Sequence, residues 1–383
     1  IMRILHLTDG EKIYGSGRVI LELSKAFKKV YSCHSVIGVI NRSSNSPIEI
    51  LEEARANGLA VVNFSNPGKL NFKLLYLIKK FISDNNITLL HCHGYKSNFY
   101  GLIAAKKKIP IVTTNHNWLK SHWKLKFYCF IDALLIRYFD RIVAVSGEIK
   151  EDMVRYRIPE KKISVIDNGI DLDRFKKPVS DTDIKEEFGL KDEVIVGTIG
   201  SLGVEKGHIF LLMAARKVVD KNKNVKFLIV GEGYLRNQLE AKALSLGIRD
   251  NVIFAGYRCD IPELISAMDI FVLPSIKEGL PMVILEAMAA NKPVIASNIG
   301  AVPKIIKHHE SGILIEPGNI NDLSNAIIEI IAESNKMLKM SQAGNIRIKE
   351  KFSSEIMAER YMNLYKDLTD NYPTSSVYIR KNS

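Results

Sequence analysis

Glu278 and Glu286 stand eight residues apart on either side of a helix start. The stretch Pro274–Pro293 reads PSIKEGLPMVILEAMAANKP. An apolar strand, Asp269–Leu273, precedes it, and Asn291 and Pro293 close it. Pro281 suits the first position of a helix, where its missing N–H is no loss, so a helix is expected from about Met282 to Ala290. The amides of a first helical turn lack partners within the helix and carry the positive end of the macrodipole. Such a start takes an anion, most naturally phosphate. Two carboxylates beside a phosphate site make sense if they hold neutral hydroxyls, which both donate and accept hydrogen bonds. A ribose or a hexose on a nucleotide diphosphate supplies both partners.

Other chemistry-bearing residues lie at strand ends. Lys206 sits in GSLGVEKGH, residues 200–208, directly after a strand. His116 ends another strand in VTTNHNW, and His91 and His93 form H-x-H in HCHGYKS. Two histidines at that spacing suggest a metal, but the sequence puts no third ligand nearby, so a structural or cleft-lining role is expected. Asp171-Leu172-Asp173 is a D-x-D, a pattern that can hold a divalent metal on a diphosphate. Gly15 and Gly17 follow the first strand and allow close backbone approach. A dinucleotide fingerprint would need glycine where Ile20 stands and an acid where Asn41 stands, so the loop argues against NAD.

Short apolar runs alternate with longer helical patterns along all 383 residues. Strands are expected at Arg3–Leu7, Ser35–Ile40, Leu59–Asn63, Ile87–His91, Ile111–Thr114, Arg141–Val145 and Ile163–Ile166. A second set follows at Val194–Ile199, Lys226–Val230, Val252–Phe254, Ile270–Leu273, Val294–Ala296 and Gly312–Ile315. This is the rhythm of parallel, doubly wound α/β sheets. The charged stretch Lys176–Asp192 reads as a linker. The expectation is two Rossmann-like domains, 1–173 and 174–352, with ligand in a cleft at the carboxyl ends of the strands. Ser146 reads as a helix N-cap, with Ile149 and Met153 on the inner face.

With those elements in place, DIFVLPSIKEGLPMVILEAMAANKPVIAS resembles the donor-site signature of glycosyltransferase family 4. Segments that resemble the family's patterns run from about residue 2 to 370, most specifically over 194–318. They include VIDNGIDLDRF, the K-G loop at Lys206 and the NVIFAGYRCDIPELISAMDIFVLPS run. The resemblance implies the GT-B fold, with a last helix, about 353–370, crossing back to the first domain; Ile356, Tyr361, Leu364 and Leu368 would form its inner face. It implies a retaining enzyme that moves a hexose from a nucleotide-diphosphate sugar, such as UDP- or GDP-hexose, to an acceptor, without a cofactor or a metal.

The same resemblance distributes roles. Glu278 would orient sugar hydroxyls, Lys206 neutralise the donor diphosphate, and His116 lie close to the transferred sugar. Ser201, Gly231, Tyr257, Arg258, Gly279, Leu280, Pro281, Met282, Val283 and Glu286 would bind the donor, with Glu286 on the ribose and the Gly256–Asp260 backbone at the base. Gly15 and Gly17 fall on the acceptor side. The sequence departs from the family at Ser201, where arginine is usual, and at Lys304, where glutamate is common. Two alternatives stay open: a GT-B sugar-nucleotide epimerase, and a sugar-nucleotide-binding protein without turnover.

Charge points to the acceptor. Of the net +12, residues 1–173 carry +10 (26 Lys+Arg against 16 Asp+Glu) and the remainder +2 (28 against 26). An excess so placed suggests that the first domain meets something acidic. Trp118–Phe130, WLKSHWKLKFYCF, follows Lys106-Lys107-Lys108 and interleaves both tryptophans with Lys120, Lys124 and Lys126. As a helix it suits an anionic membrane surface; no nucleic-acid module is recognised. No run is long and apolar enough to span a bilayer, the start MRILHLT reads as a strand rather than a signal peptide, and the four scattered cysteines fit buried thiols. The expectation is a cytoplasmic enzyme, peripheral on the membrane, acting on a lipid-linked or cell-envelope glycan.

Overall fold

The computed structural model describes residues 2–13, 15–41, 48–65, 71–105, 108–116, 123–175 and 182–372. The chain divides into two compact units, Ile1–Gly169 with Ser354–Ser383, and Ile170–Ser353. Each is a parallel sheet flanked by helices, as the alternating pattern requires. Within the stretch read as a linker, Thr182–Glu187 forms a short helix with Ile184 buried; residues 176–181 lie outside the described set.

The first unit holds β1 (Arg3–Thr8), β2 (His34–Asn41), β3 (Ala60–Ser65), β4 (Leu89–His93), β5 (Ile111–Asn115), β6 (Arg141–Ala144) and β7 (Ile163–Val165), in the order β3-β2-β1-β4-β5-β6-β7. All pairs are parallel. Ile4, Leu5 and Leu7 are fully buried, as a strand covered on both faces demands. The register sets His6 against His91 and Thr8 against His93. Because alternate residues share a face, His6, His91 and His93 converge on one side of the sheet. Helices Gly15–Tyr31 and Ser354–Asp370 pack together there, with Phe27 and Tyr365 rings 5.7 Å apart and Phe27 stacked on His6.

The Ser354–Asp370 helix belongs to this first unit. Its buried stripe is Met357, Tyr361, Tyr365 and Leu368. Two residues of the face expected from sequence, Tyr361 and Leu368, are in it; Ile356 and Leu364 sit at its edge, half-buried. The shift arises because the hydroxyls of Tyr361 and Tyr365 have polar partners beneath them, Thr114 Oγ1 at 2.9 Å and His91 Nδ1 at 2.6 Å.

The second unit holds β8 (Val194–Ile199), β9 (Val225–Val230), β10 (Val252–Gly256), β11 (Ile270–Leu273), β12 (Val294–Ser297) and β13 (Ile313–Ile315), ordered β10-β9-β8-β11-β12-β13. Its core runs through Val196, Phe227, Ile229, Val272 and Ile295 against the His208–Lys221 and Ile320–Ala332 helices. Chain order reverses between β8 and β11. At such a switch point the loops leaving the two strands part and form a binding crevice at their carboxyl ends. Those loops are Gly200–Gly207 and Pro274–Pro281.

Candidate active site

The two loops at the switch point are stitched to each other. Ile276 N donates to the Glu205 carbonyl at 2.8 Å. Gly207 has φ +66°, and a Cβ there would stand 2.0 Å from the Pro274 carbonyl oxygen, so only glycine permits this approach. Gly231, at the end of β9, is equally constrained, with a would-be Cβ 2.0 Å from the Gly200 oxygen. These contacts bring the ends of β8, β9 and β11 close together.

Lys206 ends a single turn, Val204–Lys206, and its ammonium reaches Glu278 Oε1 at 2.6 Å. Ser275 Oγ, fully buried, donates to the same oxygen at 2.7 Å. Glu278 is itself buried, so these two bonds fix its carboxylate. The helix that follows runs Met282–Ala289, with Pro281 as its N-cap rather than its first residue; Pro281 has φ −74° and ψ 115° and supplies no side-chain cap. The Gly279 carbonyl is held by the Ala301 amide at 3.0 Å, which ties the loop down next to the helix start. Glu286, also buried, lies one turn along the helix and faces Arg174 Nη1 at 3.4 Å. A lysine, two fixed carboxylates and an uncapped helix start thus share one strand-end crevice, a set suited to phosphate and sugar hydroxyls.

Ser201 is exposed, and its carbonyl accepts from His208 Nε2 at 3.3 Å. Burial lowers the His208 pKa to about 4, so this ring is neutral near pH 7. Tyr257 is half-buried after β10. Arg258 is pinned by Glu187 and Asp260, at 2.5 and 2.9 Å to the first and 2.8 and 2.5 Å to the second. Those carboxylates raise the Arg258 pKa and Arg258 lowers that of Asp260. Asp171 Oδ1 accepts from the Asp173 amide at 3.0 Å, closing the turn that carries Arg174.

In the first unit Gly15 and Gly17 open the Gly15–Tyr31 helix, and His116 directly follows β5. His116 Nε2 lies 3.4 Å from His93 Nδ1, and His93 Nε2 lies 3.2 Å from His6 Nδ1. The sequence reading of His91 and His93, which puts no third ligand nearby, is corrected here: His6 stands across the β1–β4 ladder, and nitrogens of His6, His91 and His93 lie within 4.8 Å of one another. Both nitrogens of His91 are nonetheless taken, by Tyr365 and by Thr114 Oγ1 at 2.7 Å. Of the cysteines, Cys92 and Cys129 are buried, Cys33 is half-buried, and Cys259, contrary to expectation, is exposed in the loop beside Arg258.

Two family models match, "Glycosyl transferases group 1" over residues 180–347 and "Glycosyltransferase Family 4" over residues 13–174. A relative from Escherichia coli, UDP-Gal:alpha-D-GlcNAc-diphosphoundecaprenol alpha-1,3-galactosyltransferase, is 30% identical over 314 residues, covering 79% of this chain and 81% of that protein. The chain belongs to glycosyltransferase family 4. Another relative of this family 4 protein, the N-acetyl-alpha-D-glucosaminyl L-malate synthase of Bacillus anthracis, is 29% identical over 376 residues, covering 94% of this chain and 96% of its own. Among solved structures, Anabaena HepE in complex with UDP-glucose superposes with a TM-score of 0.84 at 21% identity, covering 96% and 100% of the two chains. The fold is GT-B.

Four partners of the candidate side chains were not visible in the sequence. Ser275 lies only three residues from Glu278 but carries no local mark as its donor, Arg174 meets Glu286 from far along the chain, and His6 and Tyr365 meet His93 and His91 only once the sheet and last helix form.

Proposed function

We propose that this glycosyltransferase moves a hexose from a nucleotide-diphosphate sugar to an acceptor with retention at the anomeric carbon, without a metal. The observation that carries the proposal is the Lys206–Glu278 pair at the uncapped start of the Met282–Ala289 helix. In the transition state, positive charge grows on the sugar ring and negative charge on the departing diphosphate. Lys206 and the Met282 and Val283 amides supply fixed positive charge where the diphosphate would sit, which stabilises that separation. Glu278 holds sugar hydroxyls and Glu286 the ribose. Both carboxylates then have binding duties, so no protein nucleophile is assigned. Gly279, Leu280, Gly231 and Tyr257 complete the donor side, with Ser201 offering a hydroxyl and Arg258 bracing the base loop. Gly15 and Gly17 line the acceptor side, and His116 lies close to the transferred sugar. Asp171 is engaged in a backbone turn, which favours the metal-free reading, and a chelator is expected to leave turnover intact.

The acceptor is proposed to be lipid-linked. The E. coli relative is named for a diphosphoundecaprenol acceptor, and the basic charge of residues 1–173 suits an anionic surface. Residues 117–122, with Trp118 and Lys120, lie outside the described set, but the helix expected here is present at Trp123–Ile136. Phe130, Ile131 and Leu134 are exposed along it, and Tyr138 follows just past its end. The adjacent Tyr95–Ala105 and Phe72–Asp84 helices add exposed Ile103, Phe72 and Tyr76. An outward apolar face of this kind suits insertion at a headgroup boundary. No described helix is long and apolar enough to cross a membrane. Co-sedimentation with liposomes should need anionic lipid and weaken as salt rises; indifference to anionic liposomes at low salt removes the membrane part.

The test of the enzymatic proposal is release of nucleotide diphosphate from UDP- and GDP-hexoses with and without a lipid-linked acceptor extract. Acceptor-dependent release is expected. Release without acceptor supports an epimerase instead, and tight binding with no release a non-catalytic protein.

A further inference from the structure

His116, His93 and His6 form a chain of three imidazoles running from the end of β5 into the interior, linked at 3.4 and 3.2 Å. Burial keeps all three neutral near pH 7: His6 is lowered to about 3, His116 to about 4, and His93 well below its ordinary value. A neutral imidazole has one N–H and one bare nitrogen, so each link must join a donor to an acceptor. The chain therefore has two possible directions. Either every Nδ1 carries the proton, or every Nε2 does.

The inner end decides between them. His6 Nε2 is fully buried and has no partner. If every Nε2 were protonated, this nitrogen would be a buried N–H with no acceptor, the costlier and rarer kind of orphan. If every Nδ1 is protonated, the orphan is a bare lone pair. In that direction His6 Nδ1–H donates to His93 Nε2, and His93 Nδ1–H donates to His116 Nε2. His116 is then left with Nδ1–H, which has no partner among the described residues. The nitrogen bound inside fixes the character of the nitrogen turned outward.

We propose that His6 and His93 are positioning residues that lock His116 in the Nδ1–H tautomer, so that it offers substrate a hydrogen-bond donor and not a base. The ligand group it would meet is an oxygen with lone pairs, such as a sugar hydroxyl or a phosphate oxygen. The proposal rests on the placement of His116 at the transfer site, but its structural half can be read without turnover.

The experiment is two-bond proton–nitrogen correlation NMR on protein labelled with ¹⁵N-histidine, at pH 7.5, with resonances assigned by single substitutions such as His116→Gln. The expected spectrum shows a protonated Nδ1 and a bare Nε2 for His6, His93 and His116. A protonated Nε2 on His116 overturns the assignment. Two variants test the locking. His93→Asn keeps an amide donor near the Nδ1 position and should preserve the His116 tautomer. His93→Leu should release it to the other tautomer and lower kcat about threefold to tenfold, the equivalent of one neutral hydrogen bond, with donor KM unchanged. An unchanged His116 tautomer in His93→Leu also overturns the proposal. A wild-type protein with the expected tautomers but no transfer activity leaves this assignment standing and removes the enzymatic reading instead.

Discussion

Lys206 Nζ and Glu278 Oε1 stand 2.6 Å apart at the start of a helix whose N-cap, Pro281, supplies no side-chain cap. Each residue is thus the other's partner before any donor arrives. In the proposed donor complex the diphosphate draws the ammonium toward its phosphates while the carboxylate turns to sugar hydroxyls. Glu278→Gln keeps the shape of the side chain but removes the charge that orients Lys206 and weakens its hold on the sugar. Loss of a charge-assisted bond is worth about 1.5–3 kcal/mol, so turnover should fall roughly ten- to a hundredfold or more, with near-native far-UV circular dichroism. Wild-type turnover in a folded Glu278→Gln protein contradicts the role.

Arg174 approaches Glu286 at 3.4 Å from a turn closed by Asp171. It holds the buried carboxylate in one orientation, which in the proposed complex serves the ribose. Arg174→Ala should weaken binding of nucleoside and nucleoside diphosphate alike, by roughly threefold to tenfold for a contact worth about 0.5–1.5 kcal/mol. Calorimetric titration of both ligands checks this. A loss confined to the diphosphate would place Arg174 at the phosphates.

Tyr365 supplies the hydroxyl at 2.6 Å from buried His91 Nδ1. Tyr365→Phe leaves that nitrogen without a partner, at a cost of about 1–3 kcal/mol, and loosens the Ser354–Asp370 helix. Urea unfolding should show the loss as a lower midpoint. No change in midpoint would mean that the hydroxyl is dispensable to the packing.

Acid should unfold the protein early. His6 is held near a pKa of about 3 and His116 and His208 near about 4, while His91 and His93 are also well below the ordinary 6.5, all chiefly by burial. The unfolded chain takes up these protons as pH falls through about 6.5, and the folded chain resists until much lower. Stability is therefore complete above about pH 6.5 and is lost as pH drops toward 4, by up to about 1.4 kcal/mol per pH unit for each such histidine. Urea midpoints measured from pH 8 to 5 should be level at first and then fall steeply. A flat profile contradicts the buried neutral cluster.

Strand positions were legible in the sequence because fully buried parallel strands are short apolar runs between helical patterns. Val194–Ile199 and Ile270–Leu273 match to the residue, while Ile87–His91 is displaced toward Leu89–His93 because Ile87 and Thr88 precede the sheet. The Ser146 cap, which accepts from the Ile149 amide at 3.3 Å, was equally readable, since capping is local. The long-range pairings were not. Nothing in H-x-H names His6 as neighbour, because strand order decides that β4 lies beside β1. Nor does helical spacing rank Tyr365 over Leu364; the buried polar atoms beneath it do. Pro281 fell one position outside its helix, as proline suits either side of that boundary.

The most direct test of the account is calorimetric titration of Lys206→Ala with UDP, GDP and the matching nucleosides. If the ammonium serves the donor diphosphate, the variant should bind the preferred nucleoside diphosphate about ten- to a hundredfold more weakly, as a charged hydrogen bond of about 1.5–3 kcal/mol requires. Its affinity for the nucleoside should stay within about twofold of wild type. Equal losses for the two ligands, or none for either, would place the phosphates elsewhere and contradict the site.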